Sequence, residues 1–128
     1  ATAPFVQVDA IQKAYQQLQI TKAQYCFTVT SFPFPIQRAI KVNADNRIEM
    51  LQPEHFNTRS QDLEEMYHDA GQFYWGKVKA FKEILPLFSQ QASPYVLPQY
   101  LVQDIDTPED WIRAELMYQV LMTTGKLS

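Results

Sequence analysis

Asp104 and Asp106 flank Ile105 immediately before Thr107-Pro108-Glu109-Asp110-Trp111. In an extended segment, alternation sends both carboxylates to one side and Ile105 to the other, into a core. Two hard oxygen ligands on one face suit Mg²⁺, which takes one or two carboxylates and completes its shell with substrate phosphates. The residues that follow predict a helix over 107–123. Thr107 can cap it, Pro108 suits its first turn, and Glu109 and Asp110 favour its positive end. Trp111, Ile112, Leu116 and Val120 then supply an apolar stripe. The pair would stand at a strand-to-helix junction, where open α/β sheets bind their ligands. A purely structural role stays open at this point, because acids at a helix start also offset its dipole.

A second group of residues could recognise a polar ligand. Gln72 and Tyr74 lie two apart on a predicted strand over 70–75, so they share a face and can hydrogen-bond hydroxyls or amides, while Phe73 and Trp75 face the core. Arg38 and Lys41 flank a predicted strand over 37–42, and Arg59 precedes Gln61-Asp62; any of these cations could hold a carboxylate. Ordinary surface charge accounts for each more simply. His55 and His68 lack partners at zinc spacing, and His68 beside Asp69 reads more readily as a local turn than as an acid/base pair.

These residues need a scaffold. Apolar residues at helical spacing through Val8, Ile11, Ala14, Tyr15 and Leu18 predict a helix over 8–20, and the β-rich run over 24–31 predicts a strand. Phe32-Pro33-Phe34-Pro35 interrupts any ladder. Strands over 37–42 and 47–51 joined by Asn43-Ala44-Asp45-Asn46 predict a short amphipathic hairpin, which is marginal alone and calls for a partner. A helical turn over 60–67, a helix over 76–88 and an extended segment over 95–103 complete the expected elements. The 128 residues are 46% hydrophobic and 20% charged, enough for one domain with a core. With a net charge of −3 and no Lys/Arg run, the chain offers no electrostatic footprint for nucleic acid. Cys26, the single cysteine, lies in an apolar run, so a buried thiol and a reducing, cytoplasmic setting are expected. Neither a membrane span nor a secretory leader is expected.

Taken together, the run Tyr95-Val96-Leu97-Pro98-Gln99-Tyr100-Leu101-Val102-Gln103-Asp104-Ile105-Asp106-Thr107-Pro108-Glu109-Asp110-Trp111 resembles the C-terminal signature of the acylneuraminate cytidylyltransferases. Gln61-Asp62-Leu63 with Tyr67-His68-Asp69-Ala70-Gly71-Gln72-Phe73-Tyr74-Trp75 is similar to the sugar-site segment of that family, in its pseudaminic acid branch. Phe32-Pro33-Phe34-Pro35-Ile36-Gln37-Arg38-Ala39 fits the same branch. The sialic acid branch usually has Asn-Gly-Ala-Ile-Tyr in place of Ala70-Gly71-Gln72-Phe73-Tyr74, and Pro-Thr-Ser-Pro in place of Ala1-Thr2-Ala3-Pro4. The resemblance spans nearly the whole chain.

It implies an α/β, Rossmann-like nucleotide-diphospho-sugar transferase fold, of which residues 1–128 form the C-terminal part and about 32–58 a dimerisation arm. The implied activity is transfer of CMP from CTP to an acidic nine-carbon sugar with release of pyrophosphate, Asp104 and Asp106 holding Mg²⁺. Arg59, Gln61, Gln72, Tyr74, Arg38 and Lys41 are the implied substrate contacts, and a homodimer the implied assembly. Gly71, Gly76 and Gly125 are scattered, so the Gly-rich loop that holds the triphosphate in this family is missing from these residues. The chain by itself is therefore expected to be inactive. The alternative is a non-catalytic dimerisation or sugar-binding module.

Overall fold

The computed structural model describes residues 2–127. In chain order the elements are α1 (Val8–Ile20), β1 (Tyr25–Ser31), β2 (Ile40–Val42), β3 (Ile48–Met50), β4 (Tyr67–Gly76), α2 (Val78–Lys82), β5 (Ala92–Val96) and α3 (Pro108–Thr123). They form two compact units. One comprises the residues up to Thr30 and those from Asp69 onward; the other is Ser31–His68.

In the first unit β1 is the central strand, buried from Tyr25 to Thr30, with Tyr25, Phe27 and Val29 on one face and Cys26, Thr28 and Thr30 on the other. It lies between β4 and β5. β5 runs parallel to it, in a register from Tyr25 opposite Ala92 to Val29 opposite Val96. β4 is antiparallel, since Lys77 N donates to Gln24 O at one end and Phe32 N to Met66 O at the other. α1 covers one face through Ala10, Ala14 and Leu18, spaced one helical turn apart, the small alanines letting helix and sheet approach closely. Ala14 and Leu18 pack with Cys26, Phe73, Trp75 and Tyr95; Ala10 packs with Ala70, Leu97 and Phe73. Trp75 Nε1 donates to Ile11 O at 2.9 Å, and Gln17 Nε2 to Ser93 Oγ and Pro94 O at 2.6 and 2.7 Å, so these two side chains tie α1 to the sheet by hydrogen bonds as well as by packing. Burial pushes the Cys26 thiol pKa up, in keeping with the inert, buried thiol expected.

α3 begins and ends as its residues dictate. Thr107 Oγ1 accepts from Asp110 N at 3.2 Å while the Asp110 carboxylate accepts from Thr107 N at 3.0 Å, a capping box. At its other end Gly125, at φ +65°, donates to Met122 O and Lys126 N donates to Leu121 O, the Schellman pairing. Ala114 and Leu121 pack against Phe5, Leu101 and Ile105. Trp111, Ile112, Leu116 and Val120, expected as the buried stripe, are all more than half exposed.

Three expectations need correction. The helix foreseen over 76–88 is only α2. It stops because Leu85 precedes Pro86, which disfavours helical backbone there, and Ile84 turns left-handed at φ +52°. Ile84 N then donates to Phe81 O and Leu85 N to Ala80 O, so the same closing motif forms with isoleucine in the glycine position. The extended segment over 95–103 breaks at Pro98, which has no N–H to donate, and Gln99–Leu101 forms a 3₁₀ turn. Asp104 and Asp106 consequently stand in irregular chain and not at a strand end.

The second unit carries the hairpin. β2 and β3 pair antiparallel with Ile40 opposite Met50, Lys41 opposite Glu49 and Val42 opposite Ile48. Ile40, Val42, Ile48 and Met50 therefore share one face, and Lys41 pairs with Glu49 across the other at 3.0 Å. Asn43 shapes the turn: its Oδ1 accepts from Asp45 N and Arg47 N, and Asn46 adopts φ +58°. Before the hairpin, Pro35 leads into a 3₁₀ turn at Ile36–Arg38, which shortens the strand expected from residue 37. Gln37 is buried there, its Nε2 donating to Glu64 O at 2.8 Å.

Candidate functional site

β4 carries the first cluster. Gly71 stands at φ +65°, a left-handed conformation suited to glycine, and makes a bulge that places Ala70 and Phe73 in one core cluster although they are three residues apart. The opposite face then receives Asp69, Gln72 and Tyr74. Asp69 Oδ1 accepts from Gly71 N at 2.8 Å, while Oδ2 accepts a short hydrogen bond from the Tyr74 hydroxyl. Burial, with the Asp69 carboxylate as second cause, pushes the Tyr74 phenol up to about 12, so it stays protonated at neutral pH. Tyr74 is still 40% exposed, and its ring lies 5.5 Å from that of Phe27, which lies 5.7 Å from exposed Phe88. Polar groups thus border an aromatic ledge on the face of the sheet away from α1. Gln72 Nε2 donates to Leu101 O at 2.6 Å, tying β4 to the segment three residues before Asp104, and its buried Oε1 has no partner among the described residues.

Asp104 and Asp106 form the second cluster. Ile105 turns into the core beside Phe5 and Ala114, while both aspartates are exposed, so the inward/outward alternation expected of a strand holds without one. Asp104 Oδ1 accepts from Ile105 N at 3.0 Å, and Asp106 N donates to the Asp110 carboxylate at 3.3 Å. Neither aspartate forms an ion pair with a described residue. Asp110 is committed elsewhere: hydrogen bonds from the Thr107 side chain and from backbone N–H groups hold its carboxyl below its usual range. Among the described residues no three His, Cys, Asp or Glu side chains are placed to hold a metal. Two unpaired, exposed hard-oxygen donors fit a magnesium ion whose remaining ligands are water and phosphate oxygens.

The cations and Gln61 lie in the second unit. Lys41 is engaged by Glu49, and Arg59 by Asp62 at 2.9 Å. Gln61 is exposed in the turn Ser60–Asp62. Arg38 is half-buried, with its Nε shielded from water and unpartnered, which makes it the candidate with an unspent donor. A pocket of ≈ 150 Å³ in this unit is lined by Phe32–Ile36 on one side and by Ser60 and Leu63–Met66 on the other. The His68 ring lies 4.9 Å from that of Phe32, and Asp69 accepts from Gly71 N and from the Tyr74 hydroxyl. The sequence singled out Asp69 only as part of a local turn beside His68, and missed its bond to Tyr74 along with Phe27 and Phe88; Phe27 and Phe88 are far apart in sequence and meet only in space.

The architecture is α/β, a mixed sheet layered with helices. No family model matches the chain. Two Campylobacter jejuni proteins, each named pseudaminic acid cytidylyltransferase, are 42% and 41% identical to it over 120 residues, which is 94% of this chain and 52% of each relative. A Helicobacter pylori protein named pseudaminic acid cytidylyltransferase and UDP-2,4-diacetamido-2,4,6-trideoxy-beta-L-altropyranose hydrolase is 39% identical over 101 residues, 78% of this chain and 19% of that relative. The chain is thus similar to proteins named pseudaminic acid cytidylyltransferase, and it spans about half the length of the two Campylobacter relatives, in their C-terminal part. No helix among the described residues is long and apolar enough to cross a membrane.

Proposed function

We propose that this chain forms the sugar-binding part of a nucleotidyltransferase that transfers CMP from CTP to a nonulosonic acid, pseudaminic acid being the substrate that its relatives' names favour. The observation that carries this is 42% identity over 94% of the chain to a protein of that name. In the reaction the anomeric hydroxyl of the sugar attacks the α-phosphorus in line. A P–O bond to the sugar forms, the bond to the pyrophosphate breaks, and the hydroxyl proton is released. Such chemistry rests mainly on positioning and charge stabilisation.

Within it, Gln72 and Tyr74 offer hydrogen bonds to sugar substituents, and Gln72 Oε1 is an acceptor that the protein leaves unsatisfied. Phe27 and Phe88 offer apolar surface to the methyl groups of a diacetamido, deoxy sugar. Asp104 and Asp106 would hold Mg²⁺, whose contribution when bound is to offset phosphate charge. The hairpin is assigned to self-association, because Ile40, Val42 and Ile48 present one exposed apolar face, and the assembly is taken as a homodimer.

The test is a chimera that joins this chain behind the unmatched N-terminal portion of the first Campylobacter relative, assayed with CTP and pseudaminic acid for CMP-sugar and pyrophosphate. Turnover is expected from the chimera and none from the 128 residues alone. A folded chimera without turnover, beside an active relative, refutes the reading.

A further inference from the structure

We infer that Asp69 is a positioning residue of the sugar site, holding the Tyr74 hydroxyl so that its oxygen meets the ligand as a hydrogen-bond acceptor. This rests on the sugar-site reading above and deepens it by stating which kind of substituent Tyr74 reads. A tyrosine hydroxyl has one proton and two lone pairs. Here the proton is given to Asp69 in a charge-assisted bond, a kind about twice as strong as a neutral one. The phenol stays protonated at neutral pH, so the oxygen keeps accepting capacity and has no further proton to give. A ligand group that meets it must donate: a hydroxyl or an amide N–H. A carboxylate would find no donor and would face the charge of Asp69 as well. The backbone fixes this arrangement, because Asp69 also accepts from Gly71 N at the left-handed bulge that brings Asp69 and Tyr74 to one face. Without that extra residue, positions five apart on a strand would point to opposite faces. The partly exposed ring of Tyr74 leaves the oxygen within reach of a ligand.

The experiment uses the 128-residue chain with ring-labelled tyrosine and follows the Tyr74 resonance by NMR, Tyr74→Phe supplying the assignment. The probes are pseudaminic acid and N-acetylneuraminic acid. Wild type is expected to show a saturable, sugar-dependent shift, and Asp69→Asn to weaken pseudaminic acid binding about tenfold, as loss of a charge-assisted bond at the contact implies. Because Asp69 acts through Tyr74, sugar-induced shifts elsewhere should show that Asp69→Asn/Tyr74→Phe binds no more weakly than Tyr74→Phe alone. Thermal melts of the same samples confirm folding; if Asp69→Asn melts early, Tyr74→Phe, which keeps the Asp69–Gly71 bond, must still lose about tenfold in affinity. Undiminished binding by Asp69→Asn, or losses that add in the double variant, overturns the role of Asp69 alone. Absence of any sugar-induced shift in wild type overturns the sugar-site reading beneath it.

Discussion

Gly76 closes β4, the strand that carries Gln72 and Tyr74, and its lack of a side chain lets two aromatic rings meet there. A Cβ added at this position would lie 2.5 Å from Phe81 Cε2 and 2.6 Å from Tyr25 Cδ1, close to an ångström inside ordinary contact. The two neighbours differ in their freedom to yield. Phe81 is half exposed and can swing outward, giving up its edge contact with Tyr25 at 5.2 Å. Tyr25 is 2% exposed, and its hydroxyl lies within hydrogen-bond distance of Ala80 O and Leu85 O, so its ring can shift only with the backbone of α2. Gly76→Ala should therefore cost about 1–3 kcal/mol, the usual range for overpacking. For a chain of this size that corresponds to a fall in melting temperature of roughly 4–11 °C. Adding Phe81→Ala should restore only part of it, since the clash with Tyr25 persists. Circular dichroism melts of the two variants and of Phe81→Ala decide the matter. A melt unchanged in Gly76→Ala, or full restoration by the second substitution, would falsify the assignment of Tyr25 as the rigid neighbour.

Ile84→Gly should raise stability by about 0.5–1 kcal/mol, because a β-branched residue at φ +52° is strained and, at 87% exposure, has little packing to lose; a lower melting temperature would refute this. Charging the apolar face of the hairpin with Val42→Glu and Ile48→Glu should convert a self-associated chain to monomer by light scattering without lowering the melt, whereas unchanged mass would place the interface elsewhere. In the active chimera, Asp106→Asn should reduce turnover by about two orders of magnitude or more, a loss of several kcal/mol in the transition state. Among the described residues its carboxylate supports no hydrogen bond or ion pair, so the melt should not move, and near-normal turnover with unaltered Mg²⁺ dependence would remove the metal role from Asp106.

Local chemistry made much of this molecule legible in advance. The cap at Thr107, the turn at Asn43–Asn46, α1 and β1 were all readable because the residues that specify them are neighbours in sequence, and propensity, spacing and turn type act over a few residues. The same locality explains where reading failed. The end of α2 depended on a left-handed isoleucine that propensity disfavours, and the break at Pro98 removed the strand from beneath Asp104 and Asp106.

The sequence by itself determined the similarity to pseudaminic acid cytidylyltransferases, the outward placement of Asp104 and Asp106 about a partly buried Ile105, and the shared face of Gln72 and Tyr74. Only the tertiary structure decided what those side chains meet. The bulge at Gly71 turned Asp69 toward Tyr74, β1 brought Phe27 beside it, the chain returning after α2 supplied Phe88, and Lys41 and Arg59 were engaged by acids. Such contacts depend on register and on how far apart in sequence two packed groups lie, and no periodicity in the chain encodes either.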